Sequence, residues 1–345
     1  VHVALLTPRQ SLVPVLERAG VVIHDISSAM TTTTRTRRLS AVIAATKPNL
    51  VHAVLYEAAV PAQIAARKAG VPVLVTWAVT LYDSGHFSES QTNQFKLRSA
   101  QAVEIALARL ARTRFHAVTE GVATVNASSI RVSSERMMVG ERGRAEPEQV
   151  HVNGHSEPRP PGLPESGRIV LAVGRQEPQK GYGSLLEQFE RLGDRCADAH
   201  LVIAGRPGSE SVALHRAQRA MRHGDRVHFL GQRDDVSALL ACADVVVCSS
   251  WREGAAGALI EAMSVGVPIV TVQLDSLIGV IRNDVNGLMV SRDRLAESIE
   301  LVLNDADLAQ RLGAGSRKQY EERFTLERSA ARMSEIYAWA ASTSE

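Results

Sequence analysis

The chain is predicted to be an α/β protein built on doubly wound parallel sheets in two domains, and three features of its 345 residues carry that expectation. Short β-branched apolar runs alternate with helical patterns, as strand–helix–strand crossovers require. Two of those runs, 168–173 and 244–248, lead into polar or small-residue turns that open helices. In open α/β sheets such turns lie at the carboxyl ends of strands, where ligands bind. A segment dense in proline and glycine, from Gly154 to Gly167, divides the two halves and suits neither helix nor strand.

In chain order, Val1 to Leu6 reads as a strand, Arg9 to Ala19 as a helix and Val21 to Ile26 as a second strand. A helix near Arg35 to Thr46 and a strand at Leu50 to Leu55 follow. Thr31 to Thr34, ahead of Arg35, Arg37 and Arg38, is expected as a mobile loop and a solvated helix start; a minority reading makes it a contact for acidic lipid or another phosphorylated ligand. The expected domains are residues 1–154 and 168–325, joined by a linker at 155–167. Residues 326–345 form a final helix, with Met333, Ile336, Tyr337 and Ala340 at helical spacing.

Composition agrees with two cores of ordinary size. Hydrophobic residues make up 45% of the chain and aromatics only 4%, so aliphatic side chains must fill them. Residues 1–150 carry 17 Lys and Arg against 11 Asp and Glu, a net +6, while the remainder carries 22 against 26, a net −4. Either a ligand of the first half, or the surface presenting it, is anionic, or the bias is ordinary surface variation. No nucleic-acid partner is expected. Cys196, Cys242 and Cys248 form no paired framework and no metal spacing, and read as reduced, mostly buried thiols of a cytoplasmic protein. No apolar stretch approaches the roughly 20 residues of a membrane span, and no signal peptide opens the chain, so any membrane association would be peripheral, at the inner face.

The most informative stretch is Ser249 to Met263. It sets a small-residue turn between two carboxylates, Glu253 and Glu261, directly after the buried strand ending at Cys248. Carboxylates only accept hydrogen bonds, which suits a polyhydroxylated ligand, while backbone N–H groups at the helix start suit an anion. Phosphate in the middle and hydroxyls at the flanks outline a sugar nucleotide; the alternative is an ordinary turn whose glutamates face water. After the other strand, Arg175 offers a planar fork and Lys180 a mobile point charge, which together would neutralise a diphosphate. On a surface loop the same two cations would simply be solvated.

Gly174-Arg175 with Lys180-Gly181, Glu253-Gly254 with Glu261-Ala262-Met263, then Gly266-Val267-Pro268-Ile269-Val270 and Asn286-Gly287-Leu288-Met289-Val290 resemble, in order, the family 4 glycosyltransferases of the GT-B fold. The likeness covers roughly residues 168 to 325. A weaker one runs through Lys47 to His52, Ala69 to Thr76 and Val152-Asn153-Gly154. The resemblance implies two Rossmann-like domains facing across a cleft, acceptor on the first and donor on the second, with the final helix crossing back onto the first. It implies retaining, metal-independent transfer of a hexose-type sugar from a nucleoside-diphosphate sugar to an acceptor hydroxyl. The acceptor would be a glycan, a lipid-linked molecule or a small molecule. Arg175 and Lys180 would hold the diphosphate, Glu253 the donor sugar and Glu261 the ribose. The backbone of Gly254, Ala255, Ala256 and Gly257 would meet the phosphate, and the region of Gly174 and of Gly231-Gln232-Arg233 would complete the donor site. No cofactor beyond the donor substrate is expected.

Departures from the family pattern leave other readings open. Relatives place a further strand, a glycine-rich loop and a helix before the segment resembling Val1 to Thr7, so a fragment or a naturally shortened relative is expected. Trp77 stands where many relatives have a histidine near the acceptor; it would pack, or form a platform under a sugar ring, and His86 is a second acceptor-side candidate. Ala256 replaces a glycine, and the segment Gln273 to Gly279 lacks the usual glycine pair and glutamate. Asp305-Ala306-Asp307 mimics a two-aspartate metal motif but reads as a polar helix or its N-cap, so no metal is assigned. A non-catalytic or weakened nucleotide-sugar binder and, less favoured, a nucleotide-sugar epimerase remain the alternatives. A binder would show affinity without turnover.

Overall fold

The computed structural model describes residues 1–7, 12–79, 94–110, 113–147, 159–254 and 256–342. Contacts divide the chain into two compact units. One holds Val1–Val118, Val122–Gly140 and Arg332–Glu345; the other holds Thr119–Gly121 and Glu141–Ala331.

The first unit contains β1 (His2–Leu5), β2 (Val22–Asp25), β3 (Val51–Val54), β4 (Val73–Trp77), β5 (Thr113–Ala117) and β6 (Met137–Val139). Every pair is parallel, but the strands form two separate sheets, β1-β2 and β3-β4-β5-β6. The expected loop at Thr31 to Thr34 is corrected to a capped helix start, since Thr32–Thr46 is helical. Thr31 Oγ1 accepts from Thr34 N at 3.2 Å and Thr34 Oγ1 accepts from Thr31 N at 3.1 Å. Two orphan N–H groups of the first turn are thereby satisfied by threonine hydroxyls alone.

Ile336 and Ala340 of the helix Leu326–Ala341 are buried with Leu74, flanked by Leu50, Met138 and Met333. A polar chain runs beside this cluster. His116 Nε2 lies 2.8 Å from the Gly140 carbonyl, which can only accept, so Nε2 carries the proton. With neutral rings, His116 Nδ1 then accepts from the Thr76 hydroxyl at 2.9 Å, Thr76 Oγ1 accepts from His52 Nε2 at 2.6 Å, and His52 Nδ1 accepts from the Tyr337 hydroxyl at 3.0 Å. Burial, with His116 adding to it, pushes the His52 imidazole down to about 4.

The second unit contains β7 (Arg168–Val173), β8 (Ala199–Ala204), β9 (Val227–Gly231), β10 (Val245–Cys248), β11 (Ile269–Val272) and β12 (Leu288–Val290) in one parallel sheet of order β12-β11-β10-β7-β8-β9. This is the doubly wound order, and its direction of winding reverses between β7 and β10. Side chains alternate between the two faces: Val170 and Ala172 join Val245 and Val247 in one buried cluster, while Ile169 and Leu171 join Val246 in the other. Because both faces are covered, the strands read as continuous apolar runs. The helix Tyr182–Gly193 buries Leu185, Leu186, Phe189 and Leu192 against the first cluster, with the i, i+4, i+7 spacing of one helical stripe. Tyr320 and Phe324 close the second. Asp305 caps the helix Ala306–Gln319, its Oδ1 accepting from Leu308 N at 2.9 Å. Among the described residues no helix is long and apolar enough to cross a membrane.

Candidate active site

The loops that leave β7 and β10 emerge side by side at the reversal point, because the two strands are hydrogen-bonded neighbours. Glycines let them approach. Gly181 takes a left-handed φ of 63° at the start of the helix Tyr182–Gly193, and a Cβ there would stand 2.3 Å from the Ser249 carbonyl oxygen. At Gly174 a Cβ would meet Lys180 Cε at 2.9 Å and the Tyr182 hydroxyl at 3.0 Å. The loops are then stitched together: Trp251 N donates to Gln179 O at 2.8 Å, and Ser249 Oγ donates to Lys180 O at 2.9 Å. Arg292 reinforces the second loop from β12's side, donating to the carbonyls of Ser249 at 2.6 Å and Ser250 at 3.1 Å with its guanidinium 3.5 Å over the Trp251 ring.

This stitching brings Lys180 and Glu253 together. Lys180 Nζ donates to Glu253 Oε1 at 2.6 Å, and Ser250 Oγ donates to the same oxygen at 2.6 Å. The side chains are only 17% and 12% exposed, so the pair is largely withdrawn from water. Space of about 360 Å³ lies beside it, lined among others by Lys180, Tyr182, Cys248, Glu253 and Ala256. Burial pushes the Tyr182 hydroxyl far up, aided by Cys248 and Glu253, and its proton goes to Gly174 O at 3.0 Å. The Cys248 thiol is raised by burial and by Glu253, which keeps it a thiol rather than a thiolate at neutral pH. Arg175 is exposed on the same loop and makes no ion pair among the described residues.

Glu261 lies one turn into the helix Gly257–Val265, four residues after Gly257 and therefore on its face. Its carboxylate accepts from Arg144 Nε at 2.8 Å. Ala256, the residue before the helix, is held left-handed at φ 45° with its side chain buried, a conformation that glycine would adopt without strain. Gly257 itself has the close neighbour: a Cβ there would lie 2.1 Å from Arg144 Nη2. Gly254 adjoins Glu253 in the turn; Ala255 and His86 lie outside the described residues.

Arg233 stands at the end of β9, where Asp235 takes it in a bidentate pair at 2.7 and 2.5 Å and Pro161 O accepts a third bond at 2.7 Å. Its guanidinium is thus occupied within the chain. Trp77 is 2% exposed and its ring stacks on Phe115 at 4.5 Å, so it packs in the first unit's core and presents no open platform for a sugar. The indole Nε1 has no hydrogen-bond partner among the described residues, and Trp77 borders a space of about 280 Å³ with Tyr56 and Glu104.

Sequence reasoning passed over Ser250, Arg292 and Arg144. A hydroxyl three residues before a carboxylate in one loop is a local signal that could have identified Ser250. Arg144 meets Glu261 across 117 positions, and no spacing rule reaches that far.

Residues 155–319 match the family model described as glycosyl transferases group 1, and residues 1–139 match the glycosyl transferase 4-like domain. Among curated proteins, the putative glycosyltransferase YtcC of Bacillus subtilis is 29% identical over 185 residues, 50% of this chain and 46% of that protein. The lipopolysaccharide core biosynthesis glycosyltransferase LpsE of Rhizobium meliloti is 31% identical over 152 residues, 43% of each chain. The chain thus spans a little under half the length of these relatives. The crystal structure of HepE from Anabaena in complex with UDP-glucose superimposes with a TM-score of 0.79 at 18% identity, covering 98% of this chain and 91% of that one, and the same protein has been crystallised with UDP and glucose.

Proposed function

From this chain's membership of the family 4 glycosyltransferases of the GT-B fold, we propose that it moves a hexose-type sugar from a nucleoside-diphosphate sugar to an acceptor hydroxyl, with retention of anomeric configuration and without a metal ion. The observation that carries this reading is the Lys180–Glu253 pair, a cation and a carboxylate at the reversal point of a doubly wound sheet. YtcC and LpsE carry glycosyltransferase names, and HepE, of the same fold, has been crystallised with UDP-glucose; both support a nucleotide-sugar donor.

In the reaction the bond from the anomeric carbon to the phosphate oxygen breaks, and its electron pair leaves with the diphosphate. The acceptor oxygen bonds to the same face of that carbon, and its proton passes to the departing phosphate. Negative charge grows on the leaving group, so preorganised cations lower the barrier. Lys180 is already aimed into the site, and a diphosphate would share it with Glu253. Arg175, exposed on the same loop, would close onto the phosphate from outside. Glu253, fixed by Ser250 and Lys180, would accept hydrogen bonds from sugar hydroxyls, and Glu261 from the ribose.

The test is donor turnover, by transfer or hydrolysis, in the protein and in Arg175→Ala. Loss of one such cation is expected to cost about 10²- to 10³-fold in rate. Binding of a nucleoside diphosphate without turnover of any nucleotide sugar would make the chain a binder and not an enzyme.

A further inference from the structure

Arg144 is fastened to the second unit through its backbone. Its N–H donates to Phe324 O at 2.9 Å and its carbonyl accepts from the Tyr320 hydroxyl at 3.0 Å, with both of those aromatic residues buried. The side chain is therefore launched from a fixed point toward the first turn of the helix Gly257–Val265. There Nε holds Glu261 at 2.8 Å and Nη1 turns back to Gly143 O at 3.1 Å. Nη2 has no hydrogen-bond partner among the described residues, and it lies 2.1 Å from where a Cβ on Gly257 would be.

A guanidinium at a helix N-terminus opposes the helix dipole, whose positive end favours anions. Among the described residues one carboxylate offsets it, that of Glu261, the group assigned to the donor ribose. Gly257 keeps the space open, because any side chain there would push the guanidinium away. An arginine held against the dipole, with both N–H bonds of Nη2 unspent among the described residues, is matched to an anion that has yet to arrive.

We infer that Arg144 is a donor-binding residue that exchanges partners: it guards Glu261 in the free protein, then yields Glu261 to the ribose and turns its guanidinium to the diphosphate at the start of the helix. The inference rests on the proposed donor site. It adds a third cation to Arg175 and Lys180, one that approaches from the ribose side and couples the two ends of the nucleotide. A nucleoside alone would have to displace Arg144 without offering it a phosphate, so the protein discriminates against nucleosides.

The experiment is calorimetric titration of the full chain with UDP, GDP and ADP, and with the nucleoside of whichever binds, in wild type, Arg144→Ala and Lys180→Ala. Arg144→Gln, which keeps the side-chain length, stands in should the alanine variant fail to fold. Arg144→Ala is expected to weaken the diphosphate about 10- to 100-fold, the range of a charge-assisted hydrogen bond. Its nucleoside affinity is expected to be unchanged or tighter, because Glu261 is released. Equal or tighter diphosphate binding by Arg144→Ala, with Lys180→Ala weakened, would overturn this inference and leave the donor site standing. If wild type bound none of the three diphosphates, the donor reading itself would fall, and this inference with it.

Discussion

Replacing Lys180 by alanine tests the site at its centre. The ammonium and the Glu253 carboxylate are 2.6 Å apart, so their bare attraction at an effective dielectric of about 20 is about 6 kcal/mol. Desolvation of both groups takes back much of this, and removing one partner of a largely buried pair leaves the other charge uncompensated, at a cost of about 3 kcal/mol. Glu253 keeps the Ser250 hydroxyl at 2.6 Å, which places the cost at the low end of the range for buried pairs. For a unit of this size the midpoint of thermal unfolding should fall by about 6–12 °C. In a double-mutant cycle with Glu253→Gln, the coupling should be about 2 kcal/mol or more, since the neutral pair no longer buries a lone charge. Turnover of the nucleotide sugar should drop about 10²- to 10³-fold in Lys180→Ala, beyond what the loss of folded protein explains. A coupling within about 0.5 kcal/mol of zero would refute the buried ion pair. Unchanged turnover would refute its electrostatic part in catalysis.

Two further outcomes follow from geometry outside that pair. Because the folded protein holds the His52 imidazole down at about 4, below its ordinary value of 6.5, the unfolded chain binds the extra proton between those values; stability should be complete above about pH 6.5 and fall by roughly 3 kcal/mol as the pH drops to about 4. Unfolding midpoints between pH 7 and pH 4 check this, and a His52→Gln variant with the same pH dependence would show that another group is responsible. Gly181→Ala should cost more than about 2 kcal/mol and depress turnover, because a left-handed alanine is strained and its methyl would stand 2.3 Å from the Ser249 carbonyl oxygen. Denaturant midpoints and turnover measure it together, and a variant as stable as wild type would show that the loops from β7 and β10 are not held by close backbone approach.

The fold class was legible because a strand covered on both faces must be apolar at every position, so β7 and β10 read as unbroken runs in any window of sequence. The loops after them were legible for a related reason: glycine at 174, 181 and 257 marks places where a Cβ would collide, with the Lys180 and Tyr182 side chains, the Ser249 carbonyl and the Arg144 guanidinium in turn. The threonines at 31 to 34 misled because their hydroxyls suit a loop and a helix cap equally well, and which one they serve depends on the turn that follows.

What the sequence determined by itself were the features set by neighbours along the chain, namely alternation of elements, strand burial, turn positions and the family that the ordered motifs resemble. Partnerships between distant side chains were decided only by the tertiary structure. Lys180 meets Glu253 and Arg144 covers Glu261 because the sheet order places β7 beside β10 and the backbone of Arg144 is tied to Phe324 and Tyr320. Arg233 reaches the Pro161 carbonyl, 72 positions away, and Trp77 is sealed against Phe115, although each carries chemistry that would serve a ligand. Local periodicity reflects the geometry of a few consecutive residues, whereas a hydrogen-bond partner depends on which loops close across a hundred positions, and no short window of sequence contains that information.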